Sequence, residues 1–81
     1  MPAEVILYTR NGCHLCDVVK ASLARLKSKA DFTLSEVDID SSDELRALYN
    51  DEVPVVLING RKAFKYQMDE REFLRKLEGR R

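Results

Sequence analysis

The feature that most constrains the fold of this 81-residue chain is an apolar run followed closely by a helix that begins with two cysteines. The run AEVILYT, residues 3–9, is almost continuously apolar, as is typical of a β-strand buried on both faces. From Cys13 to about Lys29, apolar side chains recur every three or four positions, which predicts a helix. Its inward-facing positions are predicted to be Cys16, Val19, Leu23 and Leu26.

The middle of the chain predicts a second strand and a second helix. Residues 31–40, DFTLSEVDID, have the composition of a strand and end in acidic residues that suit a turn. Ser41 and Glu44 have the spacing of a capping box, so we expect a short helix to open at Ser41.

The last third of the chain predicts a hairpin and a final helix. Residues 53–60 and 61–66 are strand-like runs that meet at Asn59-Gly60, a dipeptide typical of tight hairpins. Asp69 can cap the helix that follows, with Glu72 as its capping-box partner. The order β-α-β-α-β-β-α predicts an α/β fold with a four-stranded mixed sheet, which contains one parallel pair and is flanked by three helices.

Length and charge narrow the classes of protein to consider. A chain of 81 residues is enough for one small domain, which we expect to span residues 1–81. Its 14 basic and 14 acidic side chains cancel, so we expect no binding to nucleic acid or to an anionic membrane surface. No apolar run approaches the ~20 residues that cross a bilayer, and no signal-like segment precedes the first strand. We therefore expect a cytoplasmic protein. We also expect it to act as a monomer.

The two cysteines are spaced for thiol chemistry. Residues three apart on a helix are neighbours, so Cys13 and Cys16 can approach disulfide geometry with little backbone change. Unpaired N–H groups at a helix start favour a thiolate, so we expect a lowered pKa for Cys13 and a nucleophilic role. Arg10 and a protonated His14 would favour that thiolate, whereas Asp17 would oppose it. Cys16, on the apolar stripe, is expected to act second and release the reduced target.

Two other interpretations of the cysteine pair stay open on these residues alone. A C-x-x-C pair is also half of a zinc site, although structural zinc takes four ligands and this chain offers two cysteines and His14. The chain could instead hold or deliver a metal through Cys13 and Cys16, alone or between two chains, or serve mainly as an interaction domain. Arg10 and His14 could also be ordinary solvated side chains.

The segments YTRNGCHLC, EVDID and VPVVLING together resemble the glutaredoxins of the thioredoxin-like superfamily, over essentially the whole chain. The nearest resemblance is to small, less characterised glutaredoxin-like proteins. It implies a thioredoxin-like fold and a thiol–disulfide oxidoreductase that acts on protein or small-molecule disulfides. Cys13 matches the nucleophile of that family and Cys16 its resolving cysteine.

The resemblance also implies where a substrate would lie. Pro54 matches a cis-proline beside the active-site disulfide, although the ordinary preference of an X-Pro bond is trans. The backbone of Val53 would then pair with a bound substrate chain, and Arg10 matches a basic position that helps hold glutathione in glutathione-dependent members. His14, which lies inside the cysteine motif, completes the predicted substrate-binding set: Arg10, His14, Val53 and Pro54.

The sequence departs from the glutaredoxin pattern where glutathione would be held. Phe64 and Lys65 stand where that family carries a Gly-Gly pair, so two side chains fill a place that needs close backbone approach. We therefore expect a dithiol mechanism with no bound cofactor and no metal. The electron donor is left open between glutathione and an unidentified reductase. The missing glycines argue against glutathione.

Overall fold

Four extended segments pair into one mixed sheet in the computed structural model, which describes residues 2–78. The strand order is β2-β1-β3-β4; β1 and β2 run parallel, and β3 runs antiparallel to both of its neighbours. The predicted mixed sheet with one parallel pair is therefore confirmed. The strands are β1 (Ala3–Thr9), β2 (Phe32–Asp38), β3 (Val55–Ile58) and β4 (Arg61–Lys65).

Three α-helices flank this sheet, as predicted: α1 (His14–Leu26), α2 (Asp43–Tyr49) and α3 (Glu70–Glu78). A short 3₁₀ turn, Ile39–Ser41, which the sequence analysis did not predict, links β2 to α2. The predicted domain, residues 1–81, extends at both ends beyond the described residues and stays a prediction. Within residues 2–78, no helix has the length and apolar character that spanning a membrane would require.

The main core lies between the sheet and helices α1 and α3. All four predicted inward positions of α1 are buried, because their spacing of three or four residues keeps them on one side of the helix. From α3, Phe73 packs edge-on against Phe32 of β2 with ring centroids 5.2 Å apart. Helix α2 covers the opposite face, where Tyr49 stacks on Tyr8 of β1 at 4.6 Å. The sheet thus has helices on both faces, and the loop that carries the cysteines leaves from the end of the central strand β1.

The predicted Asn-Gly hairpin is confirmed. Asn59 and Gly60 have φ values of 51° and 85°, so both central residues occupy the left-handed region that a type I′ turn requires. The side-chain oxygen of Asn59 accepts a hydrogen bond from the Glu4 N–H at 2.9 Å, which ties the turn to the start of β1. This turn lies at the end of the sheet opposite the cysteines.

The start of α2 differs from the prediction by one residue. The cap is Ser42, whose hydroxyl accepts a hydrogen bond from the Leu45 N–H at 3.3 Å. Ser41 instead donates its hydroxyl to the Asp38 carbonyl at 2.6 Å and closes the 3₁₀ turn. Because that turn consumes Ile39–Ser41, the helix begins later than the capping-box spacing suggested.

Other helices and strands are also shorter than predicted, for local reasons. Helix α1 ends at Leu26, and the chain then turns to enter β2 at Phe32. Strand β3 begins only at Val55, since Pro54 has no N–H to donate to a ladder. The last helix is capped as predicted: an Asp69 carboxylate oxygen accepts from the N–H groups of the second and third helical residues, at 2.8 and 3.1 Å.

Candidate active site

The two cysteines lie where β1 passes into α1. The loop that joins these elements contains Gly12, whose φ of 78° falls in the left-handed region that favours glycine. Cys13 follows in an extended conformation as the N-cap of α1, and Cys16 lies in the first turn. Their sulfurs form a disulfide with a Cα–Cα distance of 5.2 Å, within the range such bonds normally span.

The environments of the two sulfurs differ. Cys13 is partly exposed, whereas Cys16 is 0% exposed and lies on the core side of α1. The Sγ of Cys13 accepts a hydrogen bond from the Cys16 N–H at 3.1 Å, an amide at the start of α1 with no intrahelical acceptor of its own. After reduction, the same N–H would favour negative charge on Cys13 sulfur. One sulfur is therefore accessible and polarised, and its partner is shielded.

The guanidinium of Arg10 is held by neighbouring parts of the chain. Its Nε and Nη2 donate to the two carboxylate oxygens of Asp40 at 3.1 and 3.0 Å. Its Nη2 and Nη1 also donate to the side-chain and backbone oxygens of Asn50 at 2.7 and 3.2 Å. The hydrogen bonds with Asp40 raise the pKa of Arg10 and lower the pKa of Asp40. Arg10 thus ties the loop before the cysteines to the 3₁₀ turn and to the end of α2, and its contact with substrate stays a prediction.

The segment Val53-Pro54 lies at the same end of the sheet as the cysteines. The peptide bond between these residues is cis, as the family resemblance implied. Pro54 is buried, and its carbonyl accepts a hydrogen bond from the Tyr66 N–H at 2.8 Å. Val53 is half-buried, and within residues 2–78 its backbone makes no hydrogen bond. Next to it, β3 enters the sheet with Val55 paired to Tyr8 of β1.

His14 occupies the first position of α1 and is exposed. It lies between the two cysteines in sequence, and Asp17 one turn later is also exposed. The structure thus places His14 on the surface beside the disulfide, and its role in substrate binding stays a prediction.

Three features near the site were missed by the sequence analysis. Leu15 and Val18 in α1 are exposed, and so is Tyr66, which has a φ of 71° directly after β4. An aromatic residue at positive φ leaves no signature in a single sequence, because only the fold dictates its backbone conformation. Nearby, an open pocket of about 460 Å³ is lined by Phe64, Gln67, Met68 and Asp69.

The metal-binding interpretation finds no support in the part of the chain that the structure describes. Residues 2–78 contain no cluster of three or more His, Cys, Asp and Glu side chains arranged to hold a metal ion.

Comparison with known proteins places this geometry in a family. Residues 4–78 match the family described as Glutaredoxin-like domain (DUF836). The uncharacterized protein Rv0508 of Mycobacterium tuberculosis (strain ATCC 25618 / H37Rv) is 38% identical over 72 residues, which cover 83% of this chain and 74% of that protein.

Solved structures share the architecture. The solution NMR structure of protein Ne2328 from Nitrosomonas europaea has a TM-score of 0.83 and 35% identity, and the match covers 96% of this chain and 94% of that chain. The X-ray structure of protein XcR50 from X. campestris has a TM-score of 0.72 and 31% identity, covering 88% and 95%. Mitochondrial thioredoxin 3 from Saccharomyces cerevisiae in its oxidized form has a TM-score of 0.69 at 14% identity, covering 94% and 76%, and shows likeness of fold alone.

The resemblance predicted from the sequence motifs is therefore confirmed at the level of fold and family. The protein has an α/β thioredoxin-like fold, with its cysteine pair at the junction of the first strand and the first helix. The chain belongs to the glutaredoxin-like domain family (DUF836).

Proposed function

We propose that this protein is a thiol–disulfide oxidoreductase that reduces disulfides through Cys13 and Cys16. The thiolate of Cys13 attacks one sulfur of a target disulfide, the target S–S bond breaks, and the other target sulfur leaves as a thiolate that takes up a proton. The Cys16 thiol then loses its proton and attacks the Cys13 sulfur, which expels the second target thiolate. Two electrons have passed from the protein dithiol to the target, and an external thiol reductant restores the dithiol.

The observation that carries this proposal is the difference between the two sulfurs. A nucleophile must meet a substrate and be stabilised as a thiolate, and Cys13 is partly exposed with its Sγ on the Cys16 N–H. A resolving thiol needs only to reach the first sulfur, and Cys16 is shielded from outside thiols while bonded to Cys13.

The surroundings favour some substrates and donors over others. The backbone of Val53, which makes no hydrogen bond within the described residues, supports docking of an extended chain next to Cys13. Phe64 and Lys65 carry side chains where a glutathione-binding member has glycines, which supports an electron donor other than glutathione. We include in the proposal that the protein acts as a cytoplasmic monomer and binds no cofactor. Arg10, His14, Val53 and Pro54 remain the proposed substrate contacts.

The test is reduction of insulin with dithiothreitol as the source of electrons, followed by the turbidity of the released chains. We expect Cys13→Ser to abolish turnover, and Cys16→Ser to accumulate a mixed disulfide between Cys13 and insulin that mass spectrometry detects. Ala24→Ser, an exposed position on the same helix, is the control and should behave like the parent. Turnover by Cys13→Ser at the parent rate would refute the assignment of the nucleophile.

The electron donor is tested by two coupled assays. One supplies glutathione with glutathione reductase, and the other supplies thioredoxin reductase, each with NADPH consumption as the readout. We expect little turnover with glutathione. Rapid glutathione-driven turnover would contradict the inference from Phe64 and Lys65.

A further inference from the structure

Tyr66 has a backbone conformation that an aromatic residue rarely adopts. Its φ is 71°, and the Gln67 N–H donates to the Lys65 carbonyl at 2.8 Å across it. A bond between residues two apart, with a positive φ at the centre, is the geometry of the rarer and more strained form of γ-turn. For a bulky residue such a φ is an outlier, and outliers of this kind persist where the surrounding structure enforces them.

The strained backbone holds Tyr66 beside the proposed site. Its N–H donates to the Pro54 carbonyl at 2.8 Å, one residue from the Val53 backbone that the proposed function assigns to substrate docking. The Tyr66 side chain is 44% exposed, and the Lys65 ammonium lies 5.5 Å from the centre of its ring. The ring is thus accessible at the surface and has a neighbouring cation over it.

Exposed apolar side chains of α1 lie on the side toward the same segment. Leu15 and Val18, 47% and 49% exposed, precede Ser22 and Arg25 at helical spacing and so share one side of the helix with them. That side faces the start of α3, because Arg25 donates to the Glu70 carboxylate at 2.7 Å. The segment from Tyr66 to Glu70 is therefore joined to Pro54 through the Tyr66 N–H and to the last turn of α1 through Arg25.

These features leave exposed apolar side chains on two elements at the cysteine end of the sheet: Leu15 and Val18 in the first two turns of the helix that Cys13 caps, and Tyr66 next to Pro54. Among residues 2–78, the exposed large apolar side chains are Leu15, Val18, Leu48 and Tyr66, and three of these four lie on the two elements just named. Exposed apolar side chains near a reactive thiol can contact an apolar surface of the substrate. A polypeptide can supply such a surface on both sides of its disulfide, whereas a small hydrophilic disulfide cannot.

We propose that Tyr66 is a specificity-determining residue that contacts the polypeptide on either side of the disulfide attacked by Cys13. The inference rests on the proposed function and adds a substrate class to it, namely disulfides carried by polypeptide chains with apolar side chains near the cysteine. In this arrangement the strained backbone directs the ring toward the client, and the fold bears the conformational cost.

The experiment compares a polypeptide disulfide with a small one. Reduced protein, freed of reductant, is mixed with insulin or with bis(2-hydroxyethyl) disulfide, and the second-order rate of the single turnover is followed. The variants are Tyr66→Gly and Tyr66→Asn, which tolerate a positive φ without the ring, and Tyr66→Phe, which keeps the ring. Asn59→Gly, also at positive φ but at the far end of the sheet, is the matched control.

We expect Tyr66→Gly and Tyr66→Asn to lower the rate with insulin by about 3- to 10-fold, the range of one lost aromatic contact. Their rate with the small disulfide should stay within about twofold of the parent, because that disulfide does not reach the ring. Tyr66→Phe, which keeps the ring, should reduce insulin at the rate of the parent. The melting temperatures of the Gly and Asn variants should not fall below the parent value, since both residues relieve the strained φ.

Other outcomes would overturn the inference in distinguishable ways. Equal losses on both disulfides together with a lowered melting temperature would make Tyr66 a structural residue. A parent that reduces both disulfides, with Tyr66 variants unchanged on insulin, would remove the specificity role and leave the proposed function intact. A parent that reduces only the small disulfide would refute the substrate class. A parent that reduces neither would refute the proposed function and this inference together.

Discussion

Arg10 donates two parallel hydrogen bonds, 3.0 and 3.1 Å long, to the carboxylate of Asp40. These bonds join the loop that precedes the cysteines to the 3₁₀ turn that follows β2. Bidentate pairing of this kind fixes orientation as well as distance. The same guanidinium also bonds Asn50 at the end of α2. The hydrogen bonds of Arg10 to Asp40 and Asn50 therefore form a brace that ties the loop before Cys13 to the 3₁₀ turn and to the end of α2.

The Arg10–Asp40 pair of this brace should make the folded state less stable as the pH falls into the acid range. The hydrogen bond from Arg10 lowers the pKa of Asp40 below its ordinary value of 3.8 in the folded state. The contribution of the pair is then present above pH 3.8 and is lost as the pH falls through the lowered value. We expect Asp40→Asn to lower the melting temperature at pH 7, and the gap from the parent to close at the acid end of the titration.

A neighbouring ion pair supplies the control for this prediction. Glu36→Gln removes an exposed carboxylate that lies 3.5 Å from the Lys20 ammonium. It should change the melting temperature little, both at pH 7 and at the acid end of the titration. A gap between Asp40→Asn and the parent that persists unchanged in acid would show that charge is not the cause.

The packing of α1 on the sheet should dominate the stability of the domain. Leu23 is buried among side chains of the sheet and α3, so Leu23→Ala removes buried methyl groups and leaves a cavity. We expect a loss of about 2–5 kcal/mol in the free energy of unfolding, measured by urea denaturation. Leu48→Ala, on the exposed side of α2, should stay within about 0.5 kcal/mol of the parent. Equal effects of the two substitutions would contradict the assigned core.

Gly12 should be needed for its backbone conformation alone. A Cβ added there would have no atom within 4 Å to meet, yet the φ of 78° is costly for residues with a side chain. Gly12→Ala should therefore lose about 1–2 kcal/mol of stability, and Gly12→Asn less, because asparagine visits this region more readily. Thermal unfolding measures both. If alanine and asparagine behaved alike, at the parent value, the loop would not hold this conformation in solution.

The reduced cysteines should differ in reactivity toward an outside reagent. Cys13 is partly exposed and Cys16 is 0% exposed, so a limiting amount of iodoacetamide should reach mainly the first. We expect Cys13 to be alkylated at least about tenfold faster at neutral pH, as mass spectrometry of peptides would show. Equal labelling of the two cysteines, or faster labelling of Cys16, would contradict the assignment of Cys13 as the first nucleophile.

Sequence by itself determined the order of elements, the inward positions of α1 and the Asn-Gly hairpin. Each of these depends on local rules: the spacing of apolar side chains along α1, and the positive φ values that Asn59 and Gly60 accept. The position of Cys13 at a helix start after a strand followed from the same rules. Family resemblance then supplied the cis bond before Pro54, which the ordinary preference of X-Pro bonds opposes.

Tertiary structure alone decided which residues meet. Arg10 and Asp40 are 30 residues apart, and a single sequence does not reveal that the guanidinium of the first bonds the carboxylate of the second. Tyr66 lies beside Pro54 because β3 and β4 pair, and its left-handed backbone is imposed by hydrogen bonds to distant and neighbouring carbonyls. Local patterns specify elements, because propensity and periodicity act over a few residues. Contacts between elements depend on how those elements pack, and at this site the packing decides what surrounds Cys13.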